Sequence, residues 1–120
     1  MKAAVYYQAG GPEVLSYEDV LEPSCGQREV KIDVRAIAVE GGDVLNRAHG
    51  EKPNGAFVVG YTAAGVVTEI GSEIDGVKLG DRVTTVSFAG SHAEQRVAPG
   101  FGCWVLPDSV SFEQSACFPV

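Results

Sequence analysis

Between Val30 and Ala36 the apolar residues Val30, Ile32, Val34 and Ala36 alternate with Lys31, Asp33 and Arg35. Period-two alternation with one wet face predicts a β-strand half-covered by a core. Similar, shorter patterns flank it. Ala3 to Tyr7 reads as a first strand ended by Gly10-Gly11-Pro12, and Val14 to Val20 as a second, before Pro23, Ser24 and Gly26 break the chain. Phe57 to Ile70 is a long, mostly apolar strand interrupted by Gly60 and Gly65, where glycine marks a bulge, a bend or a close backbone approach. After the turn signals Asp75-Gly76 and Gly80-Asp81, strands follow at Arg82 to Phe88, His92 to Ala98 and Cys103 to Leu106. Two short helices complete the pattern. Asp43 can N-cap one or two turns through Ala48, ending near Gly50. Ser111 with Gln114 forms a capping box that opens the other. Short strands separated by glycine turns predict a mainly β fold, an antiparallel barrel or sandwich.

Composition narrows the function classes. The chain has 120 residues, which suits one domain, and its 15 glycines fit a turn-rich β fold. A net charge of −7 argues against nucleic acid and anionic membrane partners, since both reward basic patches. No apolar run approaches the ~18 residues of a membrane span. No leader pattern follows Met1, and Cys25, Cys103 and Cys117 are an odd, scattered set that reads as free thiols. The expectation is a cytoplasmic protein that meets a small molecule.

Five motifs in register then point to a family. Gly60-x-x-x-x-Gly65-Val66-Val67-x-x-Ile70-Gly71 followed by Asp75 to Val83 resembles the medium-chain dehydrogenase/reductase signature. The opening Met1-Lys2-Ala3-Ala4 with Gly10 to Leu15, and the closing Leu106-Pro107-Asp108, Ser111-Phe112-Glu113 and Phe118-Pro119-Val120, resemble its quinone oxidoreductase, ζ-crystallin-like branch. The resemblance covers the whole chain. It implies a bent antiparallel GroES-like barrel over residues 1–120, ending at the start of a connecting helix and closing one side of an active-site cleft. The other side would be a Rossmann domain after residue 120. No GxGxxG occurs here, and no strand–glycine–helix unit is expected to hold a pyrophosphate. NAD(P)H is therefore implied by the family but not expected to bind this chain alone. The implied substrate is a quinone or activated alkene, and the isolated chain is expected to be inactive. A standalone binding or interaction module is the alternative, and co-chaperonin behaviour rests on fold analogy alone.

The same resemblance bears on zinc. In the family's alcohol dehydrogenases a zinc cysteine stands at the position of Glu40, and a Gly-His-Glu segment at Gly60-Tyr61-Thr62. Between Val83 and Val97 there is no cysteine for a structural lobe. Catalytic zinc needs three protein ligands and structural zinc four, so no zinc is expected. The candidate cleft residues are Glu40, Asp43 and Tyr61, with Arg47 and His49 as substrate contacts. Each has a plainer reading. Glu40 can be a solvated carboxylate, Asp43 an N-cap, Tyr61 a core aromatic and Arg47 a helix-surface charge, or the partner that neutralises Glu40. His49 falls in a glycine-rich loop after the helix, His92 reads as structural or exposed, and Trp104 as core. A face left for the Rossmann domain predicts self-association, with Phe112 to Val120 as an apolar stub peripheral to the strands.

Overall fold

The alternating segment becomes the spine of the molecule. In the computed structural model, which describes residues 1–51 and 54–120, strand β3 (Glu29–Ala38) runs antiparallel between β5 (Thr62–Ile70) and β7 (Gln95–Pro99). Strands β6 (Arg82–Val86) and β8 (Cys103–Val105) extend the sheet to the order β7-β3-β5-β6-β8. A second sheet pairs β1 (Lys2–Tyr6) with β2 (Ser16–Asp19) and with β4 (Phe57–Val58). Helix α1 (Gly41–His49) follows β3, and α2 (Phe112–Ala116) follows β8. The fold is mainly β and antiparallel, as the pattern predicts. The sheets do not close into a barrel. They meet at one bridge, Ala3 with Ala93, and the segment 92–94 stitches them through Ala4 N–H to His92 O, Glu94 N–H to Lys2 O and Val34 N–H to Glu94 O.

The core lies on one face of the five-stranded sheet. Val30, Ile32, Ala63, Val67, Val83 and Cys103 are buried together, with Val34, Ile70, Ile74 and Val77 packed against them. Burying a side chain such as Ile32 contributes about 1.5–3 kcal/mol. Between Val34 and Ala36 the β3–β5 register shifts, and Gly65 sits opposite Val34. A Cβ there would lie 2.0 Å from the Asp33 carbonyl oxygen, so glycine is what lets the strands approach at the bulge.

Several sequence boundaries move for local reasons. Pro12–Val14 forms a 3-10 turn, so β2 starts only at Ser16. Phe57 to Ile70 is two strands, because Gly60 adopts φ +109° and turns the chain between sheets. Strands β6 and β7 stop and start where backbone groups cross to another element. Ser87 N–H goes to Tyr61 O, ending β6 at Val86, and residues 92–94 are committed to the inter-sheet stitch. Trp104 and Val105 are half-exposed on β8 rather than core. Helix α2 carries the anticipated capping box, with Gln114 N–H to Ser111 Oγ and Ser111 N–H to Gln114 Oε1 both at 3.0 Å. It is not peripheral. Ser115 and Ala116 are fully buried, and Thr84 donates to Ser115 O at 2.8 Å, so removing this segment would uncover the core.

Candidate functional site

The corner where β3 hands over to α1 gathers the predicted cleft residues. Glu40, not Asp43, is the N-cap, and Asp43 occupies the third helical position. Its Oδ2 accepts the Glu40 backbone N–H at 3.0 Å, closing the first turn from inside. Glu40 itself is half-buried, and its Oε1 accepts a long bond from the Thr62 hydroxyl at 3.5 Å. Tyr61 lies over Gly42, where a Cβ would meet its ring at 2.5 Å, and its hydroxyl accepts from Asn46 Nδ2 at 2.7 Å. That contact consumes the acceptor side and leaves the tyrosine proton as a donor.

Behind this corner is a buried polar layer. Asp43 is 4% exposed, Ser91 and Thr85 not at all and Arg96 1%. Arg96 Nη1 donates to Tyr61 O at 2.7 Å and to Thr85 Oγ1 at 3.3 Å, while Nη2 donates to Ala89 O at 3.0 Å. One guanidinium thus fixes both the Tyr61 turn and the 87–90 loop. Burial pulls its pKa down to about 10, with the Asp43 charge acting in the opposite direction. His92 Nε2 is 3.8 Å from Asp43 Oδ2.

Three clefts adjoin these groups. One of about 350 Å³, almost wholly apolar, is walled by Tyr61, Val86, Phe88, Pro99, Phe101 and Val120. A second of about 360 Å³ lies beyond Phe88, with Tyr6, Asn46, Glu51 and Phe57. The Tyr61–Asn46 bond stands between them, and Phe88 lines both, edge-on to Tyr61 at 6.4 Å. Each volume is at the lower end of ligand pockets. A third, of about 400 Å³, opens between the sheets at His92. A depression of about 740 Å³ lies at the Arg28–Glu73 ion pair and contains none of the predicted residues.

Glu40, Asp43 and Tyr61 are therefore brought together. Arg47 and His49 are not part of the corner. Arg47 Nε donates to Gly10 O at 3.3 Å and its own carbonyl accepts from Gly10 N–H, so it staples α1 to the β1 turn instead of neutralising Glu40. His49 is the exposed last residue of α1, not a loop residue. Sequence reasoning passed over Asn46, Phe88 and Arg96, and it treated His92 as incidental. Asn46 was findable from its spacing of three from Asp43 on one helix face. Period two from Ala98 places Arg96 on the inward face; nothing local announced Phe88.

Strand β3 does lead through glycine into a helix, with Gly41 and Gly42 in the first turn of α1. This succession does not fit a pyrophosphate. Glu40 and Asp43 place carboxylates on the first turn, and the Tyr61 ring covers Gly42, where phosphate oxygens would need open backbone N–H groups. Nor do Glu40, Tyr61 and Thr62 make a zinc site. They offer no thiolate or imidazole, and no group of three or more metal-ligating side chains is gathered among the described residues.

The family model of the alcohol dehydrogenase GroES-like domain matches residues 26–116. The chain belongs to that family. It is 34% identical over its full length to the quinone oxidoreductase of Sus scrofa, covering 38% of that protein. Over 99% of its length it is 35% identical to quinone oxidoreductase-like protein 2 of Rattus norvegicus, covering 34%. The Pseudomonas syringae quinone oxidoreductase superposes with a TM-score of 0.90 at 35% identity, over 96% of this chain and 36% of that one. The Escherichia coli quinone oxidoreductase complexed with NADPH gives 0.89 at 28% identity, over 97% and 36%. The likeness falls on the quinone oxidoreductase branch, as the terminal motifs implied. The chain spans little more than a third of the length of these relatives, and no helix among the described residues is long and apolar enough to cross a membrane.

Proposed function

We propose that residues 1–120 form the substrate-side domain of a zinc-independent, NAD(P)H-dependent reductase of quinones or activated alkenes. The observation that carries this reading is the Glu40–Tyr61–Thr62 corner. Its positions are those of zinc ligands in the alcohol dehydrogenase resemblance, yet it offers hydroxyls and a carboxylate beside an aromatic-walled cleft. In this reading the dinucleotide supplies hydride and is held by a separate nucleotide-binding domain, because the α1 N-terminus here repels phosphate.

This chain's residues shape, dry and orient. Val86, Phe88, Pro99 and Phe101 exclude water from one side of the cleft. The Tyr61 hydroxyl, with its acceptor side engaged by Asn46, is the donor for a carbonyl oxygen that gains negative charge. The Glu40 carboxylate would oppose that charge, so its place is to hold the α1 entry. The exposed side chains of Phe88, Phe101, Phe118 and Val120 belong to the face that the nucleotide domain would cover, and the chain alone self-associates through it.

Calorimetry of the 120-residue chain with NADPH and NADH, metal analysis after chelator-free purification and quinone reduction by the intact natural polypeptide test the reading together. The expected results are no cofactor heat, well under one equivalent of zinc, and turnover only by the intact polypeptide. Micromolar NADPH binding by the chain alone, or stoichiometric zinc, overturns the reading. An intact polypeptide with no nucleotide site would favour a binding module.

A further inference from the structure

The buried layer behind α1 contains polar atoms with no hydrogen-bond partner: Asp43 Oδ1, Ser91 Oγ, His92 Nε2 and Arg96 Nε. Unpaired buried polar atoms are uncommon and call for an explanation, since each carries a desolvation penalty of about 1–3 kcal/mol. Two of the four, Ser91 Oγ and His92 Nε2, converge beside the Asp43 carboxylate. Asp43 Oδ2 is 3.8 Å from His92 Nε2. Ser91 Oγ and His92 Nε2 lie 2.0 and 2.8 Å from the point a Gly60 Cβ would occupy. Gly60, at φ +109°, is the backbone that makes room for both.

We propose that His92 is a positioning residue for the Glu40 corner, acting through Asp43. Two bare acceptors facing each other at 3.8 Å repel, so the proton on the imidazole sits at Nε2 and points at the Asp43 carboxylate. That carboxylate in turn accepts the Glu40 N–H and fixes the first turn of α1. The turn places Glu40 against Thr62 and lays Gly42 beneath Tyr61. A side chain on the inter-sheet crossing thus sets the angle at which the helix presents its N-cap.

His92 also borders the cleft between the sheets, with its Nε2 turned into the buried layer. The charged and titratable groups facing this arrangement are Asp43 from α1, Arg96 from β7, Lys2 from β1, Tyr17 from β2 and Glu94 from the crossing. Asp43 is the carboxylate that the ring nitrogen faces, at 3.8 Å, so the lock needs a donor at Nε2. The relevance to chemistry rests on the reading of this corner as a substrate wall, but the lock is a property of the chain alone.

Amide hydrogen exchange on the 120-residue chain, expressed as protection factors, tests it without cofactor or substrate. His92→Phe, which keeps a ring but removes the donor, should lower Glu40 protection about tenfold while β3 and β5 amides hold constant. His92→Gln, which offers an N–H in place of the ring donor, should restore most of the wild-type protection. Undiminished Glu40 protection in His92→Phe overturns the proposal, and His92→Leu serves as the donor-free variant if His92→Phe does not fold. Equal shifts at α1 and in the sheet also overturn it, since they mark a merely structural residue. Loss of reductase activity in the intact polypeptide with the lock intact would instead sink the functional reading and leave this one standing.

Discussion

Ile32 and Arg96 are equally deep in the molecule, one fully buried and the other 1% exposed, and they sit in regions built on opposite rules. Around Ile32 everything is apolar: Val30, Ala63, Val67 and Val83 fill one face of the sheet, and the strands carry away the backbone polar groups. Around Arg96 the buried groups are Asp43, Thr85 and Ser91, and several of their atoms lack partners. A layer of that kind is poor stabilisation, because removing polar groups from water is repaid only when each is paired. What it provides is orientation. One guanidinium fixes the Tyr61 turn and the Ala89 loop together, which are the two walls of the apolar cleft. Depth of burial, then, does not separate scaffold from site here; the chemistry of what is buried does.

The sharpest way to break this division is Ile32→Ala. Truncating a fully buried isoleucine among close-packed neighbours should lower unfolding free energy by about 3 kcal/mol, read as a shifted urea midpoint at unchanged slope. A loss below about 1 kcal/mol would mean that the sheet core is not where stability resides.

A somewhat smaller effect comes from pH. Burial raises the Cys103 thiol from an ordinary value near 9 to about 11. Between those values the folded chain keeps a proton that the unfolded chain has lost. Stability therefore falls as pH rises through that window, by about 2 kcal/mol for this group. Comparing urea midpoints at pH 8 and 11 for the wild type and Cys103→Ala isolates it. The wild type should lose about 2 kcal/mol more than the variant, and equal losses would show that the thiol ionises freely.

The same contrast explains what could be read from the chain beforehand. The alternation from Val30 to Ala36 reports a face, and faces are what sheets are made of, so β3 and its neighbours were legible from local pattern. The Ser111 capping box was legible for the same reason, since both partners lie within one turn. The corner is a meeting of Glu40, Tyr61, Ser91 and Arg96, brought together by sheet register and by the Gly60 turn, and no local period encodes it. Resemblance supplied Glu40 and Tyr61. The local pattern placed Asp43 at the N-cap, where the structure has Glu40, because both residues can begin a helix and only the backbone decides which does. Arg47 and His49, named as substrate contacts, lie away from the corner for a related reason. Helical spacing fixes the face a residue occupies, but not which neighbouring element that face meets.

The smallest expected effect tests whether the corner is a network or a set of neighbours. Tyr61 accepts from Asn46 at 2.7 Å, across the boundary between the two clefts. Tyr61→Phe removes the acceptor and leaves the ring over Gly42, so it should lower stability by only about 1 kcal/mol. Asn46→Ala should lose a similar amount. Because each deletion removes the same bond, the double variant should lose less than the sum, with a coupling of about 0.5–1 kcal/mol in a double-mutant cycle. Ile32→Ala lies outside the corner and shares no partner with it, so combining it with Tyr61→Phe should be additive within about 0.5 kcal/mol. Zero coupling between Tyr61 and Asn46 would make their contact incidental and leave the tyrosine hydroxyl free to rotate. Strong coupling to Ile32 would erase the boundary between the regions, because the sheet and the corner would then respond as one unit.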